Sequence, residues 1–291
     1  ANNAGARSML SVPLKVVENY YSRNGVPIDE DKTWNYNNRY NLRTATADDR
    51  YNIGLGVETA ELNFDRENRF YANLGFDGGV WFGQGNYDDN NPWVLKAKSR
   101  QVGGKISVSL YSVTGYWPKK LVHYQNVLQP GDGGGYSVVS YPWPVIRLAD
   151  LYLLYAETLN EISGPSEDAY LWIDKVRERA GLLGVKESWT TYSTQSNKHT
   201  SKDGFRSIIQ QERLIELAFE GHRFWDLRRW KKAREVFSSN VQGWDFDQED
   251  TELYYRVRTL YTKKFGVRDY FWPLSEGSLI VNKNLVQNPG W

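Results

Sequence analysis

The stretch Val145-Ile-Arg-Leu-Ala-Asp-Leu-Tyr-Leu-Leu-Tyr-Ala-Glu-Thr-Leu-Asn-Glu161, running on into Ile162-Ser-Gly-Pro-Ser-Glu-Asp-Ala169, decides how the chain is read. Leu148, Leu151, Tyr155, Leu159 and Ile162 recur at steps of three and four, the period that lines one face of an α-helix. The spacing predicts a helix whose stripe faces the core. Ser163-Gly164-Pro165 ends it, and Ser166 is placed to cap a second helix. Glu167 and Asp168 fall in that helix's first turn, where the dipole favours negative charge. Ala169, Ile173, Val176 and Ala180 make its buried stripe, and Gly181 stops it. Residues 144–181 therefore read as a helix-turn-helix hairpin of roughly tetratricopeptide size, about 34 residues.

Working outward, a linker rich in Ser, Thr and Asn over residues 186–202 precedes a third helix with Phe205, Ile208, Ile215 and Phe219 on one face. Glu212 falls on the same stripe. A carboxylate turned to a core is costly unless paired, so Glu212 is expected to meet an arginine, Arg177 or Arg228, in a structural rather than catalytic role. Gly221 breaks this helix, and Arg223-Phe-Trp-Asp-Leu-Arg-Arg-Trp230 starts a fourth with Phe224, Leu227 and Trp230 inward. Its mixture of Arg and Trp suits a nucleic-acid surface in principle. With the acid-rich third helix beside it, internal salt bridges and Arg-on-Trp stacking are the preferred reading. The aromatic tail, with Tyr270-Phe-Trp-Pro-Leu274 and the closing Trp291, is expected to dock on the core, since a free apolar end would be adhesive. Asp245, Asp247, Glu249 and Asp250 lack the glycine and glutamate spacing of a calcium loop and read as a solvated acidic loop.

Residues 1–143 are loop-rich, with turn signals at Asn24-Gly25, Asp77-Gly78-Gly79 and Asn90-Asn91-Pro92. Val12, Val16, Val17, Tyr20 and Tyr21 predict one helix closed by Asn24-Gly25. The alternation of Lys105-Ile-Ser-Val-Ser-Leu-Tyr111 predicts a half-buried strand. Gly131-Asp-Gly-Gly-Gly135 has no lysine after it and reads as a turn rather than a phosphate cradle.

Composition narrows the partners. The chain has 291 residues, 40% apolar, enough for one large domain or two modest ones. Lys+Arg at 36 against Asp+Glu at 35 leaves a formal charge of +1, so no nucleic acid is expected. Cysteine is absent, and His123, His199 and His222 are the sole imidazoles, so neither a metal nor a cofactor is expected. The opening Ala1-Asn-Asn-Ala-Gly5 lacks the basic stretch and apolar core of a secretion signal. The most apolar stretch, residues 145–159, is interrupted by Arg147, Asp150 and Glu157, so the chain is not expected to cross a membrane.

Four segments in order carry a family resemblance. They are residues 145–161 as quoted; Ile173-Asp-Lys-Val-Arg-Glu-Arg-Ala-Gly-Leu182; Gln211-Glu-Arg-Leu-Ile-Glu-Leu-Ala-Phe-Glu-Gly-His-Arg-Phe-Trp-Asp-Leu-Arg-Arg-Trp230; and Gln287-Asn-Pro-Gly-Trp291. With Val16-Val-Glu-Asn-Tyr-Tyr-Ser-Arg-Asn-Gly25 and Arg66-Glu-Asn-Arg-Phe-Tyr-Ala-Asn-Leu74 upstream, the chain resembles the C-terminal portion of the SusD/RagB family of outer-membrane nutrient-binding lipoproteins. The resemblance implies a mainly α fold, a tetratricopeptide-like α/α scaffold with long loops and minor β-hairpins. It divides the chain into an aromatic, ligand-side region at 1–143 and a helical region at 144–291. It also implies an absent N-terminal half as partner, a lipid anchor outside this chain, a place on the outer-membrane surface, and a SusC-like TonB-dependent transporter beside it. Arg177, Glu212, Glu216, Glu220, Arg223, Asp226 and Arg228 read as interhelical ion pairs. The implied function is non-catalytic glycan capture, with peptide as the alternative ligand.

A glycan site needs flat aromatic faces for sugar rings and nearby polar groups for hydroxyls. The chain holds 12 Trp, 20 Tyr and 11 Phe, more than a core of this size explains by itself. Two clusters supply the mixture, and Trp34, Asn35, Tyr36 and Tyr40 in the first, with Trp81, Gln84 and Trp93 in the second, are the candidate ligand residues. The competing reading is that these rings pack beneath their own loops. No Gly-x-Ser-x-Gly elbow, His-Glu-x-x-His helix or phosphate loop occurs, so no catalytic residue is expected. Glycosidase carboxylates need no motif, and Asp77, Asp88 and Asp89 near the aromatic loops keep a glycoside hydrolase as the alternative of different class.

Overall fold

The computed structural model describes residues 10–106, 111–128 and 135–291. The alternating stretch at 105–111, the glycine run at 131–135 and residues 1–5 lie wholly or partly outside these. The first half is made of short pieces, as its turn signals predict. Helix α1 (Leu14–Glu18) stops well before Asn24. The chain turns instead so that Tyr21 bridges to Pro27, with Gly25 at φ +74° inside the turn. Tyr20 and Tyr21 are buried all the same, so the apolar run upstream of Gly25 records burial and not one continuous helix. Strands β1 (Leu42–Thr44) and β2 (Glu58–Ala60) pair antiparallel. Helix α2 (Asn68–Asn73) leads straight into β3 (Leu74–Phe76), which pairs with β4 (Tyr116–Pro118). β5 (Val127–Leu128) and β6 (Tyr136–Ser137) form a third antiparallel pair.

The second half holds the long helices. α3 (Leu148–Ser163) and α4 (Glu167–Arg179) make the expected hairpin. Ser166 accepts from the Ala169 amide at 3.2 Å, Gly181 turns out of α4 at φ +77°, and the α4 stripe is buried as its spacing predicts. The outlook of α3 is the reverse of expectation at every stripe position but Leu159, which packs half-buried against the core. Leu148, Leu151, Tyr155 and Ile162 are 59, 50, 47 and 77% exposed, while Leu153, Ala156, Glu157 and Asn160 are buried. The residues that read as polar are the ones that hold α3 down. Glu157 takes both Arg229 nitrogens at 2.6 Å and the Trp230 indole at 2.7 Å, and Asn160 donates to the Lys202 carbonyl.

α5 (Val185–Tyr192) lies where a linker was expected, with Val185 and Trp189 fully buried beside Arg177. α6 (Lys202–Glu216) buries Phe205, Ile208, Glu212 and Ile215; Phe219 lies beyond its end in left-handed backbone at φ +66°. α7 (His222–Arg229) starts from Gly221 and buries Leu227, with Phe224 and Trp230 half-buried. α8 (Ala233–Phe237), β7 (Asn240–Trp244), α9 (Thr251–Tyr254), β8 (Val257–Thr262) and α10 (Glu276–Val281) follow, β7 and β8 pairing around a bulge at Val241/Gln242. The tail does not dock on the core. The Trp291 indole donates to the Arg268 and Phe271 carbonyls and Asn288 to that of Trp272, so the tail folds on itself. Trp272 reaches only Phe224 among the rings of α7, at 6.4 Å, and stays 67% exposed.

Glu212 sits between Arg69 at 2.6 Å and Arg177 at 3.1 Å, not Arg228. Glu216 takes Arg69, Arg147 and Arg179, and Glu220 takes Arg147 and Lys120, extending the line of charges. Asp226 holds Arg213 and Arg229. Two expected ion pairs are not formed among the described residues. Arg228 lies 3.6 Å over the Phe224 ring and donates to the Asp269 carbonyl, and Arg223 has no carboxylate. The acidic loop is solvated as expected, with Asp247, Glu249 and Asp250 exposed, and it also carries surface ion pairs: Asp245 and Asp247 on Arg258, Asp247 also on Lys105, and Glu249 on Arg100. A continuous buried cluster runs from Val12 to Tyr255 and draws on both regions.

Candidate functional site

The seven aromatic and amide candidates separate into two places. Trp34 is 9% exposed, donates to the Phe64 carbonyl at 3.4 Å, and has the buried Arg66 beside it. That guanidinium donates to the carbonyls of Val17, Tyr20, Tyr21 and Leu62, and burial pulls its pKa down to about 10. Tyr40 gives its hydroxyl to Glu18 at 2.6 Å and meets Trp244 edge-on. Burial, then the Glu18 carboxylate, raise the Tyr40 pKa. Arg39 lies over both Tyr36 and Tyr40 at 4.1 and 4.2 Å. Asn35 is exposed and Tyr36 half-buried, so this cluster presents an edge to solvent over a structural body.

The second cluster surrounds a cleft of about 210 Å³. Its floor is backbone pairing. Trp81 donates its amide to the Trp93 carbonyl at 2.8 Å, Val80 bridges to Val94, and the Val80 amide reaches the Asn52 carbonyl. These bonds bring Arg50 and Tyr51 alongside Trp81, Phe82 and Trp93, about thirty and forty positions away in sequence. Tyr87, Asn86, Asp88 and Asp89 complete the wall, and none of residues 34–40 lines it. Trp81 is wedged on its inner side: a Cβ on Gly75 would lie 2.6 Å from its ring, and the Lys119 ammonium sits 5.5 Å from the ring centre. Lys119 donates to the Tyr71 and Val80 carbonyls, and with no carboxylate beside it burial lowers its pKa to about 8. Trp93 is 38% exposed, Phe82 50% and Tyr87 52%, which leaves ring faces open to a ligand.

Gln84 does not face the cleft. It is buried at φ +59°, and its amide and side chain both donate to the 123–124 backbone. The loop after it closes on itself: Asn86 donates to the Asn91 carbonyl, its oxygen accepts from Asp88, and Asp88 accepts from Asn90. Arg50, Tyr51 and Tyr87 were not among the candidates. An exposed aromatic beside a turn rich in Asp and Asn was their one local signal, and Arg50 adds a hydrogen bond to the Tyr51 hydroxyl at 2.7 Å. Of the carboxylates considered for hydrolysis, Asp77 is buried and accepts from Ala97 and Tyr255. Asp88 and Asp89 are consecutive in the loop and both line the cleft.

Comparison with known proteins agrees with this architecture. SusD-like protein P2 of Formosa agariphila is 33% identical over 172 residues, 58% of this chain and 29% of its own length. SusD-like protein P25 of the same organism is 45% identical over 86 residues, 30% of this chain and 15% of its own. The solved structure of BT4246 superposes with a TM-score of 0.79 at 27% identity, covering 97% of this chain and 44% of that one. A SusD-like protein, BF3747 from Bacteroides fragilis, shares the fold at a TM-score of 0.68 and 22% identity, over 97% of this chain and 47% of its own. The chain thus spans just under half the length of these solved structures, and its matches span less than a third of the curated relatives. The helical scaffold is the tetratricopeptide-like one that these structures share. The sequence profile of the SusD family matches residues 1–291, and the chain belongs to that family.

Proposed function

We propose that this chain is the ligand-facing part of a surface protein that captures glycan without cleaving it and passes it to a SusC-like TonB-dependent transporter in the outer membrane. A lipid anchor elsewhere in the polypeptide holds it there. The observation that carries this reading is the cleft, where Trp81, Phe82, Tyr87 and Trp93 gather around Arg50, Asn86, Asp88 and Asp89. Aromatic faces take the apolar sides of sugar rings, and the amide, guanidinium and carboxylate groups take hydroxyls. Of the seven candidate residues, Trp81 and Trp93 are assigned to the ligand. Trp34, Tyr40 and Gln84 are assigned to holding the scaffold, and Asn35 and Tyr36 to a separate surface.

The rest of the polypeptide has a place to pack. Leu148, Leu151, Tyr155 and Ile162 form an exposed apolar ridge on α3, the kind of surface that marks a contact with another chain or segment. In this reading the N-terminal half covers it.

The test is tryptophan fluorescence titration against glycan arrays and peptide pools, with a reducing-end assay on every hit. Saturable glycan binding without new reducing ends is the expected result. Turnover that vanishes in Asp88→Asn or Asp89→Asn would replace capture with hydrolysis, and peptide binding alone would move the protein to the peptide-binding side of its family.

A further inference from the structure

Lys119 carries a charge into the interior with no carboxylate to meet it. Burial alone acts on the ammonium and lowers its pKa to about 8. A charge held in this way costs the fold free energy that an apolar side chain of similar length would not. Its bonds show what the charge holds. The Nζ donates to the Tyr71 carbonyl at 3.0 Å and to the Val80 carbonyl at 3.1 Å. Tyr71 lies in the last turn of α2, where helix carbonyls lack partners within the helix. Val80 and Trp81 line the cleft and Lys119 does not, so the ammonium meets both from outside it. It sits 5.5 Å from the centre of the Trp81 ring, within reach of the attraction between a cation and an aromatic face. The Lys119 backbone is fixed as well, its amide donating to the Asn73 carbonyl at 2.7 Å just past the end of β4.

Three parts of the molecule thus converge on one ammonium: the end of α2, the backbone that floors the cleft and the Trp81 ring beside it. The Val80 amide is taken by the Asn52 carbonyl and the Trp81 amide by the Trp93 carbonyl, while no backbone donor among the described residues reaches the Val80 carbonyl. Without the ammonium, that carbonyl and the inner side of the ring lose a common anchor. The titratable groups on the same elements do not compete for it. The Tyr71 hydroxyl donates to the Asn63 carbonyl, Arg69 is bound to Glu67, Glu212 and Glu216, and Lys120 to Glu220. Asp77, next after β3, is 3.6 Å from Lys98 and accepts from the Ala97 amide. Arg50, Tyr51, Tyr87, Asp88 and Asp89 belong to the cleft itself.

We propose that Lys119 is a positioning residue for ligand binding: it holds Val80 and Trp81 in the arrangement that takes a sugar ring, without touching the sugar. This rests on the glycan reading of the cleft. Deprotonation acts on fold and site in opposite senses. The folded chain releases this proton before the unfolded chain does, so stability rises with pH through about 8. The neutral amine gives up the charge-assisted bond to Val80 and the pull on the ring, so affinity falls over the same window. A lysine with only a structural role would leave affinity level there.

The test is calorimetric titration of this chain with maltohexaose, xylohexaose and laminarihexaose from about pH 7 to about pH 9.5, spanning the lowered lysine value. It is repeated for Lys119→Met, Trp81→Phe and Trp93→Ala, and for Lys119→Met combined with each ring variant, all checked by thermal melting. At pH 7 Lys119→Met should weaken binding about ten-fold. Its cost should vanish in the Trp81→Phe background and persist in the Trp93→Ala background, because it acts through Trp81. Affinity of the unaltered chain should fall as pH rises, and that of Lys119→Met should stay level, whereas titration of the cleft's own groups would persist in both. If Lys119→Met fails to fold, the pH profile of the unaltered chain decides alone. Affinity that is level with pH, indifferent to Lys119→Met, or reduced by it equally in both ring backgrounds overturns the role and leaves the cleft standing. No binding of any of the three glycans, or binding indifferent to Trp93→Ala, overturns both.

Discussion

Arg69 on α2 and Glu212 on α6, 143 positions apart, meet at 2.6 Å in the buried interior. Arg177 holds the other oxygen of the same carboxylate at 3.1 Å, so one glutamate ties the loop-rich region to two helices. Removing it takes from the buried Arg177 its one carboxylate partner among the described residues and leaves Arg69 with Glu67 and Glu216. Glu212→Ala is expected to cost about 3–5 kcal/mol, read as a fall in the urea midpoint, and Glu212→Leu with Arg177→Met to cost less than the single changes added together. An unchanged midpoint would mean that the pair contributes nothing.

Acid should act through the same carboxylates in opposite directions. Burial works against the charge of Glu212 and Glu220, but Arg69 and Arg177 for the first, Arg147 and Lys120 for the second, outweigh it and hold both below the usual carboxylate range. Their stabilisation is present above that range and is lost as pH falls through their lowered values. Glu67 is the reverse: burial raises its pKa despite Arg69, so the folded chain takes up its proton first and stability gains on acidification. Melting temperature followed from pH 6 downward, a window about the ordinary carboxylate values, should fall less steeply in Glu212→Gln and more steeply in Glu67→Gln.

Lys119 reports at the alkaline end. Burial lowers its pKa to about 8, so between there and the ordinary lysine value the unfolded chain keeps a proton that the folded chain has released. Stability should therefore rise with pH across that window by roughly 2–3 kcal/mol relative to Lys119→Met. The same titration should appear in tryptophan emission, because the ammonium lies over Trp81. Parallel curves for the two proteins would show that Lys119 does not titrate there.

Trp93 and Trp81 should separate binding from folding. Trp93 is 38% exposed, and its replacement by Ala is expected to weaken glycan binding about ten-fold or more with little change in melting. Trp81→Ala should lose binding and also about 2 kcal/mol of stability, since its ring is wedged against Gly75 and Lys119. Gly75→Ala, whose Cβ would fall 2.6 Å from that ring, should mimic Trp81→Ala in titration.

The ridge on α3 predicts behaviour of the chain in isolation. Leu151→Glu with Ile162→Glu should reduce self-association by sedimentation while leaving the melting temperature within about 0.5 kcal/mol equivalents of the parent. A large drop in melting would place those side chains in the core after all.

How much of this was readable beforehand follows from what periodicity measures. The α4 stripe, the Ser166 cap and the partner of Glu212 at Arg177 were legible because local spacing and the cost of a buried charge suffice to place them. For α3 the same spacing pointed the wrong way. Two faces of that helix can be buried, and the core takes the one with Ala156, Glu157 and Asn160, whose polar groups find partners on α6 and α7. The helix at Val185–Tyr192 was hidden by Ser and Thr, which favour turns on average, although Val185 and Trp189 are its anchors. In the cleft, Trp81 and Trp93 stood out as paired aromatics near an amide loop. Arg50 and Tyr51 did not, because the Val80 to Asn52 hydrogen bond that delivers them is non-local.

The loop from Asn86 to Asn91 satisfies its own polar groups, with Asn86 and Asp88 serving as internal acceptors and donors. Its fold therefore asks little of the scaffold beneath, and the scaffold asks little of it. Such a segment behaves as an exchangeable cassette: its side chains can be rewritten to suit a new ligand while the buried charges that hold the molecule together stay untouched.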